Sequence, residues 1–333
     1  MLVAIELITR AQGGDSTAFR ELVEPYRREL QVHCYRMLGS VQDAEDALQE
    51  TLLAAWQGVA AFEARASVRT WLYRIATNRC LNMLRAAKRR PAKEWDMREI
   101  QLPEPTRLGE VGWLEPFPDA VLGSAADTPL GPEARYERTE AISLAFVTAL
   151  QVLPARQRAV LILRDVLGYH ADEVAEMLGS TVGSVTSALK RARETLRQRL
   201  PAADAPAPAP GSPAEQALVA RFVRAFESGD VDALVALLTD EVRVSMPPIP
   251  LEYQSLDVVA RFYATVMPRR SYDLVPTRAN GQPAFGLYRR SGAGTRHGEG
   301  LIVLTLSGDR ISALTRFDSG LLGWFGLPRS LPW

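Results

Sequence analysis

The sequence predicts a multidomain chain: all-α modules over the first 200 residues, then an α+β domain. Three observations lead there. Apolar residues recur at helical spacing early in the chain, as at Phe19, Leu22, Val23, Tyr26 and Leu30. Two proline-rich stretches, 91–132 and 201–213, interrupt the helical pattern, because proline at that density removes backbone donors and breaks helices. Beyond residue 240 short apolar segments alternate with glycine turns, which is a strand signal. At about 150 residues per domain, the 333 residues suffice for more than one core.

The elements follow in order. Gly13-Gly14-Asp15 is a break, and Asp15 or Ser16 is a fair N-cap for a helix starting near Thr17. Gly39-Ser40 breaks the chain again; a second helix runs from about Gln42 to Trp56 and a third from about Val68 to Arg89. These make a first domain over 1–90. Residues 91–135 read as an extended linker with little core of its own. Its segment Trp113-Leu114-Glu115-Pro116-Phe117-Pro118 is nevertheless of the aromatic kind that docks on a surface. Helix returns over 136–200. Residues 201–213 carry five prolines among alanines, a composition that favours polyproline II and acts as a semi-rigid spacer. The last domain, 214–333, opens with two helices (about 214–228 and 230–239). Strands then follow at Glu241–Met246, Tyr272–Arg278, Ala284–Arg290, Leu301–Leu306 and Ile311–Phe317, with a helix over Leu256–Val266 between the first and second. That order predicts an antiparallel sheet curling over helices.

Composition narrows the function classes. The apolar and charged fractions, 47% and 23%, are those of a globular protein. Net charge is formally zero, but it is segregated. From Ala64 to Lys93 there are nine basic residues and no acidic one, with Trp71, Tyr73 and Asn78 interleaved. Basic groups track phosphates, while aromatic and amide side chains hold unstacked bases. A second basic cluster comprises Lys190, Arg191, Arg193, Arg197 and Arg199, whereas Asp43, Glu45, Asp46 and Glu50 make the second helix acidic. An acidic helix repels DNA and suits a basic protein surface. The two cysteines, Cys34 and Cys80, make no disulfide framework, and with three scattered histidines they show no metal-ligand spacing. We expect no metal and no cofactor. No signal peptide and no bilayer-length apolar run is evident, so a cytoplasmic location with no membrane partner is expected.

Asp172 to Leu200 reads as a helix-turn-helix. Val174, Ala175 and Leu178 are inner positions of its first helix, and Gly179 sits at the turn, where glycine easily takes a positive φ. Ser180 or Thr181 caps the second helix, whose Val185, Leu189 and Ala192 face the first. Ser184, Ser187, Lys190 and Arg191 then point outward, where a recognition helix meets the major groove.

These motifs resemble a known family. Asp43-Ala44-Glu45-Asp46-Ala47-Leu48-Gln49-Glu50-Thr51 resembles region 2.2 of sigma-70 family factors, which grips the clamp coiled coil of the polymerase β′ subunit. Thr70-Trp71-Leu72-Tyr73-Arg74-Ile75-Ala76-Thr77-Asn78-Arg79 resembles region 2.4 of the extracytoplasmic-function (ECF, group IV) subfamily, which recognises the −10 element. Leu153-Pro154-Ala155-Arg156-Gln157-Arg158 with Leu163-Arg164-Asp165 resembles region 4.1, and the helix-turn-helix resembles region 4.2, which reads the −35 element. Residues 214–333, notably Asn280-Gly281-Gln282-Pro283-Ala284-Phe285, are similar to the SnoaL-like domain of the NTF2-like fold found in some ECF factors.

The resemblance implies a fold of helical sigma-2 and sigma-4 domains followed by an α+β NTF2-like cone. It implies core RNA polymerase, at its β′ clamp and β flap regions, and promoter DNA as partners. By it, Asp43, Glu45, Asp46 and Gln49 dock on polymerase. Arg69, Arg74 and Arg79 hold the non-template strand, and Trp71 and Asn78, with the loop Phe62 to Ser67, accept flipped-out bases. Ser184, Ser187, Lys190 and Arg191 read the −35 element. The C-terminal domain modulates activity, with an intramolecular contact to the sigma domains expected. Tyr263, Tyr288, Arg316 and Asp318 are candidates to line a pocket in its cone. A C-terminal domain that binds or converts a small molecule is the alternative, although no His-Asp pairing for acid/base work stands out. A helix-turn-helix repressor is a further alternative, but such a protein needs one DNA-reading unit and this chain has two. No residue is required for covalent catalysis, so the chain is not read as an enzyme.

Overall fold

The computed structural model describes residues 2–87, 102–109, 114–122, 142–200, 205–269, 271–290 and 294–332. Among them the chain forms two compact units, and these do not follow chain order. One joins residues 1–91 to 149–200, and the other joins 92–148 to 201–333.

The first unit is helical. Helix α1 spans Leu2–Gln12, α2 Ser16–Leu38, α3 Val41–Gly58 and α4 Val68–Ala87. Each start and stop has a local cause. The Asp15 carboxylate accepts from the Thr17 and Ala18 amides, Ser40 Oγ accepts from Asp43 N, and Gly39 ends α2 at φ 75°. The buried stripes Phe19, Leu22, Leu30, Cys34 and Met37 of α2, Ala44, Ala47, Leu48 and Ala55 of α3, and Leu72, Ala76 and Cys80 of α4 meet in one core. Both cysteines are free and fully buried. Helix α6 (Leu144–Val152), of which residues 149–152 belong to this unit, leads into α7 (Ala155–Leu161), which continues as a π-helical turn over Ile162–Val166. Helices α8 (Ala171–Met177) and α9 (Val182–Arg199) complete the unit. Gly179 takes φ 54° between them, and Thr181, of the two sequence candidates, caps α9 by accepting from Ser184 N.

The second unit is built on an eight-stranded sheet: β1 (Arg107–Leu108), β2 (Leu238–Met246), β3 (Ile249–Gln254), β4 (Tyr272–Ala279), β5 (Gln282–Arg290), β6 (Thr295–Ser307), β7 (Arg310–Asp318) and β8 (Ser330–Pro332). The strand order is β1-β3-β2-β7-β6-β5-β4, and β8 pairs with β6. The β2–β7 pair is parallel and the others are antiparallel. Helices α10 (Pro213–Ser228), α11 (Val231–Val235) and α12 (Leu256–Val266) accompany it. Phe222 and Phe226 of α10 and Val259, Phe262 and Tyr263 of α12 bury against Leu274, Phe285, Leu287, Ile302 and Leu304 of the sheet. Gly300 permits a close approach, since a Cβ there would lie 2.2 Å from the Phe317 carbonyl oxygen. The all-α then α+β order matches the expectation. Three strands were not anticipated: β1 and β8 are two and three residues long, and β3 contains Pro250. The second expected helix of this unit ends at Val235, and β2 begins at Leu238 within its predicted span.

The linker reading over 91–135 requires correction. Among its described residues, Leu114 and Phe117 are buried, β1 adds a strand to the sheet edge beside β3, and Asp119–Leu122 forms a short helix, α5. Proline makes the segment extended, but extended backbone with edge-strand pairing and buried aromatics is part of a core. Trp113 lies outside the described residues, as do Lys88, Arg89, Arg90 and Lys93.

Candidate nucleic-acid and polymerase interface

The outward face of α9 carries all four predicted −35 residues. Ser184, Ser187, Lys190 and Arg191 are exposed, while Val185, Ala188, Leu189 and Ala192 are buried against the unit. An amphipathic helix whose polar side is small and basic can enter the major groove without steric obstruction from its own side chains. Of the remaining basic residues on α9, Arg193 is held by Asp165 at 2.7 Å and Arg197 by Glu194 at 2.8 Å.

Helix α4 divides its predicted residues between two situations. Arg74 and Asn78 are exposed and Arg79 is half-buried. Trp71 is half-buried, its ring 4.7 Å from that of Phe62 at the root of the 62–67 loop. Asn78 Nδ2 donates to Arg74 O at 2.9 Å and, more weakly, to Met177 O at 3.4 Å. Arg69 is engaged instead. Its Nε and Nη2 donate to the two Glu29 carboxylate oxygens at 3.0 Å each, and its guanidinium carbon stands 4.8 Å from the Tyr73 ring centroid and 5.6 Å from that of Tyr169. Burial opposes the Arg69 charge, but the Glu29 carboxylate and the two tyrosines outweigh it and raise its pKa. Glu29 and Tyr169 lie far from Arg69 in sequence and carry no local signal of the contact. Nearby, His33 is fully buried, with Nε2 2.9 Å from Thr77 Oγ1. Burial, and then the Arg36 and Arg69 charges, push its pKa down to about 3.

On α3 the acidic candidates also divide. Asp46 and Gln49 are exposed, Asp43 and Glu45 half-buried. Glu45 accepts from Gln31 Nε2 at 2.8 Å and from Gln49 Nε2 at 3.3 Å. The exposed stripe continues through Glu50 to Leu53, a leucine 58% exposed. Sequence reasoning missed Leu53, whose signal is an apolar residue on the outer face of an amphipathic helix.

In the second unit the four candidate pocket residues lie in different settings. Tyr263 packs within the apolar core beside Phe226 and Phe262. Tyr288 is buried, and its hydroxyl donates to Pro328 O at 2.6 Å. Arg316 reaches Glu299 O at 3.2 Å, and exposed Asp318 caps the following 3-10 turn through Gly320 N. Glu299 also accepts from Tyr272 Oη at 2.7 Å and pairs with Arg289 at 2.7 Å. A hollow of about 380 Å³ lies elsewhere, among Pro206, Pro208, Ala214, Ala217, Leu218 and Arg221. Burial raises the Tyr263 pKa, and the nearby Arg316 charge opposes that shift. Among the described residues no cluster suits a metal ion, and no helix is long and apolar enough to cross a membrane.

The Asn280-Gly281 turn, quoted above only as a motif, has a structural task. Asn280 takes φ 56° and is fully buried. Its backbone N donates to Phe117 O at 2.9 Å, its Oδ1 accepts from Phe117 N at 2.8 Å, and its Nδ2 donates to Ile142 O at 2.8 Å. Gly281 N donates to Asp119 Oδ1, and Arg278 contacts both Asp119 and Glu215. The connector is thus fastened to the β4–β5 turn by saturated, buried hydrogen bonds.

An acidic stripe on one helix and exposed basic residues on two others, within one unit, are the arrangement a transcription initiation factor requires. Comparison with known proteins agrees. Family models match Sigma-70 region 2 over residues 22–90, Sigma-70 region 4 over 143–196 and a SnoaL-like domain over 219–315. The ECF RNA polymerase sigma factor SigG of Mycobacterium tuberculosis is 44% identical over 324 residues, covering 96% of this chain and 85% of that protein. The ECF factor SigW of Bacillus subtilis is 31% identical over 193 residues, covering 58% of this chain and 94% of SigW. The crystal structure of the Mycobacterium tuberculosis ECF factor SigJ shares the fold, with a TM-score of 0.61 at 21% identity over 91% of this chain and 97% of that one. The chain belongs to the ECF RNA polymerase sigma factors and carries a C-terminal SnoaL-like domain. Its relatives' role is regulatory and non-enzymatic, and sigma factors bind core RNA polymerase and promoter DNA.

Proposed function

We propose that α3 docks on the β′ clamp of core polymerase through Asp46, Gln49, Glu50 and Leu53, with Asp43 and Glu45 bracing the same face, while region 4 engages the β flap. Helix α4 faces the −10 element, where Arg74, Asn78 and Arg79 meet the non-template strand and Trp71 stacks an extruded base. Helix α9 reads the −35 element through Ser184, Ser187, Lys190 and Arg191. The SnoaL-like domain regulates initiation by holding the connector that joins the two sigma regions. The carrying observation is the exposed set Ser184, Ser187, Lys190 and Arg191 on one face of α9, in a unit that also presents an acidic stripe on α3. Connector control rests on the Asn280 hydrogen bonds, which fasten the segment in a fixed path.

Run-off transcription with core polymerase and a library of promoter fragments tests the reading. Specific transcripts from the full chain support it, and Asn280→Ala changes their yield. An absence of transcripts, with no co-elution with core polymerase, would leave the repressor reading in its place.

A further inference from the structure

We propose that Val182 and Thr186 of α9 form an apolar notch that takes the C5 methyl of a thymine in the −35 element. The helix then reads a methyl group as well as hydrogen-bonding edges. The proposal rests on the reading of α9 as the −35 helix and adds two specificity-determining residues to it.

Val182 is the first residue of α9 and is 48% exposed. The cap does not depend on its side chain, since Thr181 Oγ1 accepts from Ser184 N. A β-branched apolar residue on the solvent side of a first turn is a weaker helix former than alanine or a long polar residue, and its apolar surface stays in water. The stability of α9 therefore gives no reason for it. Thr186 is exposed one turn further on, and residues four apart share a side of a helix. Its Oγ1 donates to Val182 O at 2.9 Å. That bond ties the hydroxyl back onto the helix and fixes χ1, so the group Thr186 offers outward is its γ-methyl.

Gly183 supplies the approach. It lies next to Val182 on the exposed side, with Ser187 and Lys190 four and seven positions further along the same face. A Cβ at Gly183 would meet nothing within 4 Å among the described residues. Alanine would fit there and would favour the helix, so neither packing nor propensity calls for glycine. Its bare backbone lowers the outer face beside Val182 and leaves room for a base edge to reach the notch.

The chemistry then selects the base. The N-terminal residues of a recognition helix meet base edges in the major groove. Guanine, adenine and cytosine present nitrogen and oxygen donors and acceptors there, whereas thymine adds a methyl group. An isopropyl and a methyl cannot bond the polar edges and would strip water from them at a cost. Against a thymine methyl the same two groups bury apolar surface on both sides. Ser184, Ser187, Lys190 and Arg191 keep the polar and phosphate contacts, and the notch adds preference for thymine at one position.

The test uses the full chain with core polymerase on a fluorescent promoter fragment selected from the library. Each thymine of its −35 element, on both strands, is replaced in turn by deoxyuridine, which deletes the C5 methyl alone. Anisotropy titrations should show one replacement that weakens wild-type binding about three- to fivefold, the size of one buried methyl. Thr186→Ser deletes the γ-methyl and keeps the hydroxyl bond to Val182 O, and Val182→Ser removes the isopropyl. Both positions are exposed, so helicity by circular dichroism stays at the wild-type value. Each variant should bind the thymine fragment more weakly, lose most of the discrimination at that one position and keep the wild-type salt slope, because no phosphate contact changes. Wild-type binding that is indifferent to deoxyuridine at every position overturns the proposal and leaves the −35 reading of α9 standing. A deoxyuridine penalty that persists undiminished in both folded variants overturns it as well. A failure to bind any fragment, with or without polymerase, overturns the sigma reading and the notch together.

Discussion

Asn280 and Phe117, 163 positions apart, exchange backbone and side-chain hydrogen bonds in both directions, and the same Asn280 amide holds Ile142 O. Asn280→Ala leaves the Phe117 N–H and the Ile142 carbonyl unsatisfied in a buried site and keeps an alanine at φ 56°. The expected cost is about 2–5 kcal/mol from two unmade buried hydrogen bonds. Calorimetry reads this as a lower melting transition for the second unit, and limited proteolysis reads it as faster cleavage in the connector. An unaltered melting profile would show that the clasp contributes nothing to the fold.

The buried His33 ring makes stability depend on pH. Its folded pKa, about 3, lies below the ordinary 6.5, so the folded chain resists a proton that the unfolded chain accepts between those values. Stability contributed by the neutral ring is complete above pH 6.5 and declines as pH falls toward 3, at about 1.4 kcal/mol per pH unit. By pH 5 the loss is about 2 kcal/mol. Urea unfolding at pH 7 and pH 5 should show this difference, and His33→Gln should reduce it.

Core-polymerase docking should respond to the sign of charge on α3. Asp46→Arg and Leu53→Asp alter exposed positions, so helicity by circular dichroism stays at the wild-type value. Each substitution should weaken co-elution with core polymerase by about tenfold, the usual scale for a misplaced charge in an interface. Equal co-elution of both variants with wild type would remove α3 from the interface.

On α9, phosphate contact and base contact make different predictions. Lys190→Ala should weaken binding to all promoter fragments alike and reduce the salt slope by about 1. Arg191→Ala should cost about 1–3 kcal/mol and relax preference at one −35 position if the guanidinium meets a base edge. Titrations at several salt concentrations on matched and mismatched sites separate the two.

Much of this protein was written in local sequence. Asp15, Ser40 and Gly39 mark where helices begin and end because caps act within one turn, and the Val174-Ala175-Leu178 and Val185-Leu189-Ala192 faces declare the helix-turn-helix through period 3.6 alone. The exposed face of α9 was legible for the same reason, since residues three and four apart share a side.

Only tertiary structure decided the rest. Nothing near Arg69 in sequence announces Glu29 or Tyr169, and nothing near Phe117 announces Asn280. Their contacts join positions 40, 100 and 163 residues apart. The proline-rich connector was legible as extended and its aromatic segment as one that docks, but not the surface it docks on, because an extended segment looks alike whether water or a sheet edge satisfies its backbone. The settings of the pocket candidates, Tyr263 in the apolar core and Tyr288 with its hydroxyl donating to Pro328 O, likewise depended on long-range packing that residue spacing does not carry.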